Sequence, residues 1–419
     1  MKKRIFVSLV LFSMLSYQAE SSESLDSIQE RRLPVGVSSS ASFSFQDLGA
    51  DIQDLKISGN GLVIMGNRSS RICLMTSEGQ AFLDPDDSSA YGMNYDGTII
   101  VGKKNSQACI WVKGVSGYSS TLLHDHSSQA QGVSDDGSTI VGKIFCLDSF
   151  MAKPCRWQRN ADGRYQQILP DVGAHAVAWF NGIDSKASMA VGTIQPKGND
   201  DWNFQQPYFQ TLGTDGSSGE VSILNKKDSA CGQAIAVSAD GKVIIGKSQY
   251  GIIDIPVNDG RKRFPLCQAC YWTENGVGPK LLGFSGGWQF INLFLYFQSQ
   301  ALACNGDGTV IVGSTSSEQH GDYFDMDLDA FIWTQQSGIR SISQLLAEHG
   351  VSLKGWTLTK AIGISRDGKT IVGIGEFEDT VRTWKVTIPT VTPAPSLIQW
   401  VGSFVGKIAR RLLPVPVAH

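Results

Sequence analysis

The chain has 419 residues, more than one ordinary domain of ~100–200 residues holds, so it is either several domains or one repeat array. Hydrophobic residues at 42% exclude wholesale disorder, and a net charge of -3 gives no electrostatic footprint for nucleic acid. Charged residues stand at 18%, below the usual ~25%, while 45 glycines exceed the usual ~7% share.

The first element expected is a secretory signal peptide over residues 1–19. Lys2, Lys3 and Arg4 precede an apolar run from Ile5 to Leu15, too short for a bilayer span of ~20 residues. Residues 20–40 are polar and Ser-rich, a flexible leader. The expected location is therefore outside the cytoplasm: cell surface, outer membrane or secreted.

From there a motif recurs seven times. KISGNGLVIMG (56–66), YGMNYDGTIIVG (91–102), QGVSDDGSTIVG (131–142) and NGIDSKASMAVG (181–192) come first. IAVSADGKVIIG (235–246), ACNGDGTVIVG (303–313) and IGISRDGKTIVG (362–373) follow. The closing glycines lie 36 to 67 residues apart, so a fixed unit carries connections of different size. A short strand such as Ala130 to Ser134 leads into Asp136-Gly137, the strongest short hairpin signal. A β-branched run such as Thr139-Ile140-Val141 follows, suited to a strand buried on both faces. A third strand ends in an aromatic: Trp111, Trp157, Trp272, Trp333 and Trp384, with Met75 in the first repeat and Tyr208 or Phe209 in the fourth. Leu122-Leu123, Ile168-Leu169, Ile223-Leu224 and Leu281-Leu282 mark a fourth. In the fourth repeat Ser185-Lys186 is read in place of Asp-Gly.

Four strands per unit and seven units predict an all-β fold, a β-propeller of seven four-stranded blades over 41–388. Radial stacking buries both faces of each sheet, and closure leaves only short edges. Phe43 to Leu48 is a further strand, which either starts the first blade or completes the last beside Trp384. A β-solenoid or a wide sandwich is the competing architecture, and the irregular spacing disfavours the solenoid.

The pattern Gly-(Val/Ile)-Ser-x-Asp-Gly-x-x-Ile-Val-Gly followed by Ala-Phe-x-Trp resembles the HAF-type extracellular repeat of exported bacterial proteins. Gly363 to Gly368, Gly355-Trp356-Thr357-Leu358 and Ala330-Phe331-Ile332-Trp333 carry the likeness most fully. The resemblance covers roughly 41–388 and implies export and a propeller-like repeat, as in autotransporter passenger regions, without implying a reaction. Only 31 residues follow Ile388, short of a barrel of eight ~10-residue strands.

Those last residues divide into a Pro-rich linker, 389–395, and an amphipathic basic segment, 396–414. Leu397, Val401, Phe404, Ile408 and Leu412 recur at helical spacing beside Lys407, Arg410 and Arg411, which predicts a short helix suited to an anionic membrane surface. Residues 341–349 predict another short helix, ended by Gly350.

Little in the sequence points to catalysis. There is no H-E-x-x-H metal motif. His124 and His126 offer two ligands without a third. Asp325, Asp327 and Asp329 alternate as calcium ligands do but lack the turn glycine and terminal Glu; no cofactor is expected. Of eight cysteines, Cys73, Cys109, Cys155 and Cys270 share one repeat position as core thiols, and Cys146–Cys155 is the one candidate disulfide. The Cys267-Gln268-Ala269-Cys270 motif lacks the setting of a redox site.

Binding is the better expectation. Insertions at 143–153, 193–207, 247–267 and 314–329, read as connections between third and fourth strands, share a face with 283–300 and 347–359, read as connections between first and second. Among them Phe284, Trp288, Phe290, Phe294 and Tyr296 form an aromatic cluster of the kind that anchors interfaces. The function expected is a non-enzymatic interaction protein whose partner is a protein or glycan. The alternative is a secreted hydrolase with its site at the propeller axis.

Overall fold

The structure is a computed structural model that describes residues 42–50, 52–83, 87–146, 151–173, 177–195, 205–225, 231–257, 260–273, 278–283, 295–319 and 325–389. Its first strand, β1 (Ser44–Ala50), is set aside from the first repeat. That repeat forms a four-stranded antiparallel sheet of β2 (Gln53–Ile57), β3 (Ile64–Arg68), β4 (Arg71–Thr76) and β5 (Gly79–Phe82). Next come β6 (Ser88–Met93), β7 (Ile99–Lys104), β8 (Gln107–Gly114), β9 (Gly117–Val133), β10 (Thr139–Phe145), β11 (Ala152–Arg159) and β12 (Tyr165–Ile168), all in one seven-stranded sheet. The fourth repeat supplies β13 (Val177–Ile183), β14 (Met189–Gln195), β15 (Gln206–Thr211) and β16 (Ser222–Ile223). The fifth gives β17 (Gly232–Val237), β18 (Val243–Val257), β19 (Gly260–Thr273) and β20 (Lys280–Leu281). The sixth gives β21 (Leu295–Cys304), β22 (Val310–Gln319), β23 (Asp325–Thr334) and β24 (Gly338–Ser341). After a helix, α1 (Ile342–Glu348), the last repeat contributes β25 (Trp356–Ile364), β26 (Thr370–Phe377) and β27 (Thr380–Thr387), and β1 pairs with β27 as its outermost strand.

The fold is an all-β propeller. The expectation of seven separate four-stranded sheets is corrected: among the described residues five sheets have four strands and one has seven. The cause is β9, whose first half pairs with β8 (Cys109 opposite Leu122) and whose second half pairs with β10 (Gly142 opposite Ala130). The sheet nevertheless packs on itself, since Val101 and Ala108 share a core with Ala130, Ile140 and Trp157. Among the described residues the other apolar cores likewise join consecutive repeats, such as Val141 with Phe180 and Ile245 with Ala301. Val372 of the last repeat meets Leu55 and Ile64 of the first, which closes the circle.

Closure also rests on β1. The expected strand at Phe43–Leu48 completes the last sheet rather than starting the first. Asp47 pairs with Arg382 at 2.7 Å, the Thr383 hydroxyl donates to Gly49 O at 2.9 Å, and Phe45 meets Trp356 edge-on at 5.0 Å. Phe43 stacks on His349 at 3.7 Å, just past α1. That helix falls where the sequence places it: Ser341 caps its start by accepting from Gln344 N, and Gly350 takes the positive φ of 77° beyond its end. The segment 396–414, read as a C-terminal amphipathic helix, lies outside the described residues, as do residues 1–40.

The closing glycine of each motif has a steric cause. In six repeats a bulge in the first strand falls opposite it, as between Ala130 and Gly132. The bulge drives a carbonyl onto the glycine: a Cβ on Gly142 would lie 2.0 Å from Gln129 O, and one on Gly102 would lie 1.9 Å from Ser89 O. Opposite the same glycines stand Cys73, Cys109, Cys155, Tyr208, Cys270, Phe331 and Trp384. The expected alignment of the aromatics is corrected here. Trp111, Trp157, Trp272 and Trp333 sit two residues further on, whereas Trp384 takes the place of the cysteines. Neither Tyr208 nor Phe209 fills the tryptophan place in the fourth repeat; Gln210 does. Trp333 is only partly buried, with Phe331 fully buried beside it. In the second, third and fifth repeats a cysteine and a tryptophan share the two positions, and in the last a tryptophan and Val386 do.

Candidate functional site

The Ser-x-Asp-Gly turns are built by their own side chains. In the third repeat Ser134 Oγ donates to Asp136 Oδ1 at 2.7 Å and accepts from Thr139 N at 3.1 Å, while Ser138 N donates to the same carboxylate at 2.9 Å. Asn94 and Asn305 take the serine's role in the second and sixth repeats. Burial alone would raise Asp96, Asp136, Asp240 and Asp307, but these hydrogen bonds outweigh it and hold the four carboxylates below their ordinary range. In the fourth repeat Asp184 takes the first position, so the residues in place of Asp-Gly are Lys186-Ala187, one later than expected. Ala187 there adopts φ 58° without glycine's freedom.

The variable x residues form a ring. Asn60 N donates to Tyr95 O (2.9 Å), Asn94 Nδ2 to Asp135 O (3.2 Å), Asp135 N to Ser185 O (3.0 Å) and Ser185 N to Ala239 O (3.2 Å). Asp240 N donates to Gly306 O (3.3 Å), Gly306 N to Arg366 O (2.9 Å) and Arg366 N to Gly59 O (2.9 Å). All seven turns are joined in one cycle around the axis. Across it, Arg366 of the last repeat pairs in bidentate fashion with Asp135 of the third, Nη1 to Oδ2 at 2.5 Å. Its guanidinium lies 4.9 Å from the Tyr95 ring centre. Small x residues leave it room: a Cβ on Gly59 would lie 3.0 Å from Arg366 Nε and 2.5 Å from Tyr95 Cδ2. Arg366 and Asp135 are 30% and 33% exposed, so the pair adds little stability but bars the axis at the turn end. The motif reading treats x as a free position and misses them.

The insertions lie at the other end. They connect second to third strands, as at 143–153, or fourth strands to the next first strand, as at 283–300, which corrects their numbering but keeps all six together. In a meander these connections oppose the Asp-Gly turns. Two are extensions of the sheets: β18 and β19 pair out to Val257 opposite Gly260, and β21, β22 and β23 stay paired out to Leu295 opposite Gln319 and Glu318 opposite Asp325. Of the aromatic cluster, Phe284, Trp288, Phe290 and Phe294 lie outside the described residues, and Tyr296 stands in β21 opposite Glu318.

Asp325, Asp327 and Asp329 stand in β23. Asp329 accepts from Ser341 Oγ at 3.0 Å, and burial raises its pKa despite that bond. Among the described residues no three His, Cys, Asp or Glu side chains converge as metal ligands. All eight cysteines are free thiols. The candidate disulfide is corrected by register: Gly142 faces Cys155 whereas Cys146 N donates to Met151 O, which sets the two about four residues, ~13 Å, apart along the hairpin. Burial raises the thiols of Cys267 and Cys270, the reverse of a redox-active pair. His124 and His126 meet edge-on at 5.6 Å on β9.

Arg156 is a second residue the sequence does not flag. Almost wholly buried in β11, it donates to Ser217 O at 3.0 Å and Gly213 O at 2.6 Å, tying the loop of the next repeat to its own.

No known family's sequence profile and no curated protein matches the chain. Among solved structures it is similar to puromycin hydrolase, at a TM-score of 0.52 and 10% identity over 83% of this chain and 55% of that one. The S511A mutant of puromycin hydrolase complexed with PGG gives a TM-score of 0.52 at 9% identity, with the same coverage of 83% and 55%. The β-propeller domain of the Trilobed protease from Pyrococcus furiosus gives 0.48 at 12% identity, over 84% of this chain and 99% of that one. The chain spans about half the length of the puromycin hydrolase it resembles. At such identities the likeness is one of fold.

Proposed function

We propose that this chain is an exported, non-catalytic interaction protein of the HAF-type repeat class. In this reading it is a seven-bladed propeller, β9 serving two blades, that binds a protein or glycan partner through its insertion face. The observation that carries the reading is the difference between the two ends. At one, seven short turns are tied together and the axis is crossed by Arg366 and Asp135. At the other, strands of up to 15 residues extend as paired arms, a rigid platform for recognition loops. The signal segment 1–19 supports export to the surface, outer membrane or medium, and among the described residues no helix is long and apolar enough to cross a membrane. An axial hydrolase finds no support in the turn cluster, where Arg366 and Asp135 satisfy each other and Ser185 Oγ donates to a backbone carbonyl, Ala239 O, at 2.6 Å.

Replacing Trp288, Phe290 and Phe294 together by alanine is expected to abolish capture of the partner in crosslinking pull-downs from surface and secreted fractions. The thermal midpoint should move by less than about 2 °C, the small change typical of substitutions outside the core. Unchanged capture would overturn the assignment of the face, and a large loss of stability would place these residues in the core.

A further inference from the structure

Charged side chains recur at equivalent places in the repeats. The turn end carries Asp96, Asp136, Asp240, Asp307 and Asp367 in equivalent places. Toward the insertion end, one residue past the closing glycines of neighbouring repeats, stand Lys103 and Lys143, each half-buried. Neither ammonium is ion-paired among the described residues. Burial lowers the pKa of Lys143, and the charge on Lys103 lowers it further, so the two cations sit close enough to repel.

Aromatic rings border Lys143. The Lys143 ammonium lies 5.6 Å from the Phe145 ring centre and 5.7 Å from that of Trp179, which belongs to the inner strand of the next repeat. Gln129 faces Lys143 across the β9–β10 ladder. Its Oε1 accepts from Gln131 Nε2 at 3.3 Å, which leaves its own amide donors for other acceptors. Two unpaired ammonium groups on the second strands of neighbouring repeats thus stand near each other, with the Gln129 amide opposite Lys143 and the Trp179 indole of the next repeat beside it. A half-buried like-charge pair is a cost to the fold unless something neutralises it. A single compact dianion meets that need better than two monoanions, which would have to be ordered separately.

We propose that Lys103, Lys143, Gln129 and Trp179 form an anion site at the insertion-end mouth of the ring, which takes a phosphomonoester group. The ammonium groups and the Gln129 amide hold the phosphate oxygens, and Trp179 borders the group that carries it. The site stands apart from the partner bound by the insertion loops, so either can fail alone.

The test is calorimetric titration of the full chain with inorganic phosphate, with glycerol phosphate, and with vesicles of phosphatidylcholine containing phosphatidic acid. Saturable binding is expected for at least one phosphate monoester, weakening with salt. The double variant Lys103→Met/Lys143→Met should lose at least tenfold in affinity, with its thermal midpoint unchanged or raised because the repulsion is gone. Lys113→Met, on an exposed strand end, should bind as the parent does. Binding of the soluble phosphates points to a free ligand, and binding of vesicles alone to a lipid headgroup; both support the site. Absence of saturable binding to all three, or equal binding by the double variant, overturns it. Should the double variant fail to fold, Lys143→Arg, which keeps charge but alters its shape, is expected to change affinity at full stability; no change there also counts against the proposal.

Discussion

Replacing Gly142 by alanine is expected to destabilise the propeller by about 3 kcal/mol or more, the upper end of what overpacking a core costs. The methyl would lie 2.0 Å from Gln129 O and 3.0 Å from Ala130 Cα, both backbone atoms of a bulged inner strand that cannot swing aside as a side chain can. The ladder around it is fixed by β11, where Cys155 and Trp157 are fully buried. Gly114→Ala is the matched control. It ends β8 in the open, its added carbon would come no nearer than 3.6 Å to Gly117 O, and its effect should stay within about 0.5 kcal/mol. Urea unfolding of both variants checks the contrast. Equal midpoints would mean that the closing glycine is dispensable and the bulge has another cause.

Removing residues 42–50 is expected to cost about 3–5 kcal/mol and to make the protein prone to self-association. Phe43, Phe45 and Leu48 are partly buried, and each apolar side chain is worth ~1.5–3 kcal/mol when fully covered. Their loss also bares β27, leaving its strand edge open to pairing with another chain. The measurement is thermal unfolding combined with size-exclusion chromatography, with synthetic peptide 42–50 added back. A lower midpoint, larger particles and partial rescue by the peptide are expected. An unchanged midpoint would show that the ring does not depend on this strand.

Much of this architecture is written in the local chemistry of the chain. Ser134-Asp135-Asp136-Gly137 reads as a turn because each polar group in it has an evident job, and the structure gives it that job. The burial of the β-branched second strands follows in the same way: all seven residues of β14 are covered. What the sequence conceals depends on neighbours far along the chain. Nothing about Arg366 in isolation says that it will meet Asp135, because 231 residues separate them and only ring closure brings their turns face to face. The union of two sheets through β9 is only half legible. Neither Leu122 to Ser128 nor Leu224 to Cys231 contains proline or glycine, yet β16 and β17 belong to separate sheets, so composition marks the place as able to run through without deciding that it does. The sequence places the insertions on one face but assigns them to the wrong connection, since strand order within a unit decides which end a loop leaves. Lys143 escapes notice for a plainer reason: a lysine on a strand is ordinarily solvated, and its indole neighbour comes from the next repeat.

The first strand of the described residues is sewn to the last, closing the circle of repeats. Gln46 and Lys385 are directly opposite in that ladder, where antiparallel partners stand ~4.5–5.5 Å apart at Cα, within reach of a disulfide. The variant Gln46→Cys/Lys385→Cys, oxidised mildly and mapped by non-reducing peptide mass spectrometry, should form that crosslink in nearly every molecule and unfold at a higher temperature than its reduced form. Recovery of both introduced cysteines as free thiols in folded, oxidised protein would contradict the closed ring.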